Sequence, residues 1–154
     1  MSADELVRAL RNKGWKMATA ESCTGGLVAG AVTVIAGSSE VFDRGFVPYS
    51  NAAKFAMLNV PVELIAQHGA VSEAVARAMA EGALLNSEAD VAVSITGVAG
   101  PGGGSAEKPV GLVHFACATK FETQHIEKRF GDIGRAAVRH ASVQQALQLV
   151  LLAL

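Results

Sequence analysis

Apolar and polar positions change period several times along the chain, and each period predicts an element. Between Asp4 and Lys13, Leu6, Val7 and Leu10 share one helical face, with charged residues around them. That pattern predicts an amphipathic helix ending at Gly14. Trp15 to Ala20 reads as a short strand running into Glu21-Ser22-Cys23-Thr24-Gly25-Gly26. Leu27 to Ile35 then continues as an apolar helix, broken at Gly37-Ser38-Ser39. Val41 to Tyr49 is β-rich, with Pro48 marking an edge or a strand end. Asn51 to Leu58 predicts a short helix capped by Ser50 or Asn51. Pro61 suits a first helical position, so Val62 to Gln67 adds another turn or two. Ser72 caps a helix running to about Asn86, with Val75, Met79 and Leu84 among its apolar positions.

Ala89 to Thr96 holds the run Val91-Ala92-Val93-Ser94-Ile95, too short for a helix and apolar enough for a buried strand. Gly97 to Pro109 is a loop. Val110–Thr119 and Thr123–Phe130 form an antiparallel pair closed by Lys120-Phe121-Glu122. Gly134 to Leu154 is a final helix, with Val138, Val143, Leu147 and Val150 at apolar positions. Helices interleaved with strands, no internal repeat and no linker predict one α/β domain over residues 1–154. Its expected form is a three-layer α/β/α domain on a mixed, mostly parallel sheet with an antiparallel strand pair near the C-terminus.

Composition narrows the function class. Of 154 residues, 51% are hydrophobic and 18% charged, with a net charge of −1. Intrinsic disorder needs the opposite balance. A nucleic-acid binder shows a basic excess or stripe, and neither is present. The segment Lys120 to Arg129 dilutes its basic residues with Glu122 and Glu127 and reads as the solvated face of the strand pair. Two cysteines, Cys23 and Cys117, make neither a disulfide framework nor a four-ligand zinc site, and read as reduced thiols. Residues 1–16 lack the apolar core of a signal peptide. The uncharged stretch Ser22 to Ser39 approaches spanning length, but four glycines interrupt it, so it reads as a buried helix with a loop at each end. The expectation is a soluble, cytoplasmic protein with no membrane or nucleic-acid partner. His68, His114, His125 and His140 have no ligand spacing, so neither a metal nor a cofactor is expected. His114 and His125 either face each other across the hairpin or are ordinary satisfied strand histidines.

Three segments carry candidate chemistry. Glu21 to Gly26 is a strand-to-helix turn that lifts a hydroxyl above the sheet edge and offers helix N-terminal N–H groups to an anion or an oxyanion. The alternative is plain helix capping by Ser22 or Thr24. Tyr49-Ser50-Asn51 with Lys54 follows a strand, and Tyr49 is the only tyrosine. In the apolar stretch from Ala52 to Met57 a desolvated Lys54 becomes a base, whereas an exposed one is merely a surface lysine. Thr96-Gly97-Val98-Ala99-Gly100-Pro101-Gly102-Gly103-Gly104 ends the buried strand, where α/β proteins bind ligands, and its glycines let backbone N–H groups approach one closely. Arg135 and Arg139 lie one helical turn apart and either converge on one spot or are solvated.

Taken together these motifs resemble the CinA C-terminal domain family, in its stand-alone nicotinamide-nucleotide amidase form. The likeness rests on Ala20 to Gly26, Ala36-Gly37-Ser38-Ser39, Tyr49-Ser50-Asn51 with Lys54, Gly69-Ala70-Val71-Ser72, Thr96 to Pro101 with Gly103, and Lys108-Pro109-Val110-Gly111. It covers nearly the whole chain and leaves no room for the larger N-terminal domain of the two-domain members. The resemblance implies hydrolysis of the carboxamide of nicotinamide mononucleotide to nicotinate mononucleotide and ammonia. It implies Ser22 as nucleophile, Lys54 as general base and Tyr49 as a hydrogen-bonding or relay group. It also implies substrate contacts from Thr24, Gly25, Gly26, Asn51, Thr96, Gly97, Gly100, Gly102, Gly103, Arg135 and Arg139. The family's Gly-Asp-Arg is here Gly131-Asp132-Ile133-Gly134-Arg135, and the two arginines align across that insertion. A homodimer or higher homo-oligomer is implied, with Ser22–Ser39 and Ser72–Asn86 as candidate contact surfaces. A non-catalytic nucleotide- or partner-binding module, and an amidohydrolase of another small amide, are the competing readings.

Overall fold

A computed structural model describes residues 2–154; Met1, the first residue of the predicted domain, lies outside them. Serine side chains start three of the helices. Ser2 accepts the N–H of Glu5 at the head of α1 (Ala3–Lys13), Ser50 that of Ala53 at α3 (Asn51–Leu58), and Ser72 that of Val75 at α5 (Glu73–Leu85). Each satisfies a donor that the first helical turn leaves free. The other α-helices are α2 (Leu27–Thr33), α4 (Val62–His68) and α6 (Arg135–Leu152).

The strands are β1 (Met17–Glu21), β2 (Phe42–Phe46), β3 (Val91–Gly97), β4 (Leu112–Thr119) and β5 (Thr123–Arg129). They form one sheet in the order β2-β1-β3-β4-β5. β1 pairs in parallel with both β2 and β3, while β4 is antiparallel to β3 and β5, so β4 alone runs against the rest. The mixed, mostly parallel sheet with its antiparallel C-terminal pair is therefore as the sequence predicted.

The two sheet faces carry different side chains because strand residues alternate. Val91, Val93 and Ile95 of β3 join Leu6, Leu10, Val28, Val138 and Leu147 in the main core, beneath α1, α2 and α6. Ala18, Ala20 and Ala92 face Leu58, Val75 and Met79, and Ala116 and Ala118 meet Ala76 and Ala80 of α5. That alanine-on-alanine face lets α3, α4 and α5 approach the sheet closely, which accounts for much of the small-residue excess. Ser94 Oγ donates to the Ala76 carbonyl at 2.6 Å and ties β3 to α5.

Several elements differ from the sequence reading. The β-rich stretch Val41–Tyr49 forms a strand only over Phe42–Phe46, and Gly37-Ser38-Ser39 leads into a short 3₁₀ turn, Ser38–Glu40. Pro61 sits one residue earlier than expected, as an extended N-cap with ψ 133°. The Ser22–Ser39 segment is not a buried helix. Only Val28 and Val32 of α2 are enclosed, while Leu27 is 43% and Val34 78% exposed. One covered flank was enough to make the segment apolar.

The topology places the site. β1 connects through α2 to β2 on one side, and β2 returns through α3, α4 and α5 on the other face to β3 on the opposite side of β1. The carboxyl ends of β1 and β3 thus flank the point where the connections diverge, and open α/β sheets bind ligands there.

Candidate active site

Ser22 is the first residue beyond β1, and its N–H donates to the Ile95 carbonyl at 3.0 Å, which locks it to the end of β3. The turn closes through Gly25 N–H to Ser22 O (3.1 Å) and Leu27 N–H to Thr24 O (3.0 Å). Gly25 and Gly26 have φ of 58° and 105°, the left-handed region that glycine enters without a steric cost. A strand can therefore reverse into a helix within a few residues. Ser22 is left half-buried with its hydroxyl toward α3.

Lys54 reaches that hydroxyl from α3, with Nζ 3.3 Å from Ser22 Oγ and donating to the Tyr49 carbonyl at 3.2 Å. It is 2% exposed, and burial pulls its pKa below the ordinary lysine value because an ammonium loses hydration there. The two readings of Lys54 are thereby separated: it is the enclosed lysine, not the surface one. A neutral amine in this position can donate one N–H to Tyr49 O and turn its lone pair to Ser22 Oγ.

Cys23 makes no side-chain hydrogen bond to another of the described residues. It is buried, and desolvation pushes its thiol up to about 11, so it is a protonated, unreactive group at neutral pH. Tyr49 is brought to the site by its backbone carbonyl; the residue is 59% exposed, and its phenol oxygen accepts a hydrogen bond from Arg135 Nη2 at 3.2 Å.

Both arginines of α6 converge on the site, as their one-turn spacing allowed. Arg139 Nε donates to the Cys23 carbonyl at 3.1 Å and Nη2 to that of Thr24 at 3.4 Å. Arg135 Nη1 donates to the Gly100 carbonyl at 2.7 Å. Together they tie the Ser22 turn and the glycine loop to α6.

The other predicted binding residues divide. Thr24 is fully buried and its Oγ1 has no partner among the described residues. Thr96 spends its hydroxyl on the Ala70 carbonyl at 2.8 Å and so fastens β3 to the segment before α5. Val113 lies against Gly97, leaving no room for a side chain there. Gly102 and Gly103 line a separate open cavity of about 710 Å³ with Arg129 and Asp132. Asn51 opens α3 and lines an apolar cleft of about 490 Å³ with Phe55 and Val62. The site thus gathers the Ser22 turn, Lys54, Tyr49, Gly100 and both arginines, and leaves Gly102, Gly103 and Asn51 at its margins.

Sequence reasoning missed Glu21. It is fully buried, and its two carboxylate oxygens accept the N–H groups of Val28 (2.8 Å) and Ala29 (3.1 Å). The expectation that α2 offers these donors to a ligand is corrected, since Glu21 already uses them. No local spacing signals this, because Glu21 lies seven residues before Val28, whereas a capping box reaches back only about three.

The sequence profile of the CinA C-terminal domain matches residues 1–154. The chain belongs to the CinA C-terminal domain family. A CinA-like protein of Syntrophobacter fumaroxidans is 54% identical over 141 residues, 92% of this chain but only 33% of that protein. The chain therefore spans about a third of the length of the larger curated CinA relatives it matches. The protein named nicotinamide-nucleotide amidohydrolase PncC from Enterobacter agglomerans is 53% identical over 147 residues, covering 96% of this chain and 90% of its own. Among solved structures, a competence/damage-inducible protein from Agrobacterium tumefaciens superposes with a TM-score of 0.95 at 53% identity, over 97% of this chain and 91% of that one. No helix of this CinA domain's described residues is long and apolar enough to cross a membrane.

Proposed function

We propose that the chain is a nicotinamide-nucleotide amidase that converts nicotinamide mononucleotide to nicotinate mononucleotide and ammonia. The observation that carries this reading is the enclosed contact between Lys54 Nζ and Ser22 Oγ, 3.3 Å apart, with the lysine pKa held down by burial. The identity to a curated nicotinamide-nucleotide amidohydrolase over nearly both full lengths supports the substrate class.

In the proposed reaction neutral Lys54 takes the Ser22 proton as Oγ bonds to the carboxamide carbon. The N–H groups of Cys23, Thr24 and Gly26 donate to no carbonyl or side-chain oxygen of the described residues, and so are free to meet the oxyanion. The Lys54 ammonium returns its proton to the leaving nitrogen as the C–N bond breaks and ammonia departs. Water, deprotonated by the same amine, then cleaves the acyl–serine ester and frees the nicotinate nucleotide. Arg135, between Gly100 and Tyr49, is the group placed to recognise the nucleotide. The positive pyridinium ring disfavours protonation of Lys54 further when substrate is bound.

The same reading places two or more copies together in the cytoplasm. The exposed apolar Leu27 of α2 and Val34 at its C-cap support self-association, and two buried thiols suit a reducing compartment. Sedimentation at micromolar concentration checks the first point, and a monomer throughout overturns it.

Ammonia release from nicotinamide mononucleotide, the riboside and nicotinamide, measured side by side, tests the substrate. The nucleotide is expected to be preferred, and equal rates on all three refute recognition of the phosphate. Ser22→Ala should abolish release while Cys23→Ala keeps most of it. Saturable nucleotide binding without any turnover would instead make the chain a binding module.

A further inference from the structure

We infer that Glu21 is a positioning residue for the nucleophile turn, acting by occupying the Val28 and Ala29 donors of α2 so that the oxyanion donors fall to Cys23, Thr24 and Gly26. The inference rests on the amidase reading above. α2 has Gly26 as its N-cap, and no N-cap side chain satisfies its first N–H groups. The chain solves this from outside. Leu27 N–H goes to Thr24 O, Gly30 N–H to Gly26 O, and the two between them to the Glu21 oxygens. Gly30 N–H makes the first helical bond, so of the four donors that the helix start leaves open those of Leu27, Val28 and Ala29 are used and the Gly26 N–H is left.

Two consequences follow from the position of Glu21, the residue directly before Ser22. A carboxylate bridging two successive N–H groups fixes the distance and rotation between the end of β1 and the start of α2, and the residues between them form the nucleophile turn. Ser22 is then held from its own N–H by Ile95, from behind by Glu21, and from ahead by Arg139 on the Cys23 and Thr24 carbonyls. With those carbonyls drawn toward Arg139, the Cys23 and Thr24 N–H groups donate to no oxygen of the described residues. The carboxylate also excludes a substrate phosphate from the amino end of α2, which leaves the nucleotide to the Arg135 side of the site.

Glutamine is the discriminating replacement. It keeps the size of Glu21 but offers one acceptor, and its NH2 opposes the second backbone N–H. Glu21→Gln should lower kcat for ammonia release roughly 10- to 100-fold, the scale of a small misplacement of reacting groups, with KM within about twofold. Labelling of Ser22 by a fluorophosphonate probe should slow by a similar factor, which reads the nucleophile turn independently of any natural substrate. Ala29→Pro approaches the same contact from the other partner. It deletes one N–H at a first-turn position where proline is tolerated, and should act in the same direction. If Glu21 only stabilises the fold, the folded fraction of each variant will keep the parent kcat and labelling rate while the melting temperature drops, and the inference is refuted. An unmodified chain that releases no ammonia and takes up no probe would instead refute the amidase reading, and this one with it.

Discussion

At Lys54 packing changes the protonation of a single side chain. It is 2% exposed, and the groups within hydrogen-bonding reach of its amine are a hydroxyl and a carbonyl, so protonation places an ammonium in a poorly hydrated pocket with no carboxylate beside it. Burial therefore lowers its pKa. The proposed base form is the deprotonated one, so kcat should rise with pH and level off through an inflection below the ordinary lysine value of about 10.4. Lys54→Arg, always charged, should abolish both the activity and the inflection. The same shift affects stability. Between the folded and unfolded pKa values of Lys54 the unfolded chain holds the extra proton, so stability rises with pH across that window. Urea midpoints measured across the alkaline range should show this rise, and Lys54→Met should flatten it.

The elements transmit their packing to the same residue. α3 carries Lys54, and its placement depends on a close approach to α5. A Cβ at Gly82 would run into the backbone carbonyl of Leu58, the last residue of α3. Alanine normally improves a helix interior by roughly 0.5–1 kcal/mol over glycine. Here Gly82→Ala should instead destabilise by about 1–3 kcal/mol through overpacking, and lower activity by shifting α3. Chemical denaturation and the ammonia assay, run on one sample, separate the two effects. Ser50→Ala removes the α3 cap and should cost about 1 kcal/mol without a steric push, so its loss of activity should be the smaller.

Element boundaries show where sequence reading stopped. Helices with a serine cap, such as α3 and α5, were legible to within a residue or two because the cap and the apolar period are both local. The apolar pattern overstates β2, because Val47 and Pro48 continue it after the strand's pairing with β1 has ended. Composition does not separate the enclosed flank of α2 from its exposed one, since both are apolar.

Across the whole molecule, the three layers are joined by polar ties as well as by the core. His114 of β4 and His125 of β5 share a contact of 2.9 Å between Nδ1 and Nε2, diagonal across the hairpin. Glu127 lies beyond His114 at 3.8 Å, and Glu73 of α5 lies beyond His125 at 3.7 Å. Burial lowers both histidine pKa values, aided at His114 by its histidine partner. With folded pKa values below about 6.5, the unfolded chain takes up protons first as the pH falls. Stability is therefore expected to be full above that value and to decline as the pH drops through the folded pKa values. Denaturant midpoints between pH 8 and 5 should show the decline, and His125→Gln should weaken it. An unchanged slope in that variant would place the acid sensitivity elsewhere.

Local patterns were enough for the order of elements, the α/β class, the family and the residue types of the site, because caps, periods and short motifs act over a few neighbouring residues. They were not enough for what each site residue does. The enclosure of Lys54, the turning of Tyr49 toward Arg135, the use of both arginines on backbone carbonyls and the capping of α2 by Glu21 join residues up to 116 positions apart. Those roles depend on distances and desolvation that arise only when β1, β3, α3 and α6 meet at the carboxyl edge of the sheet.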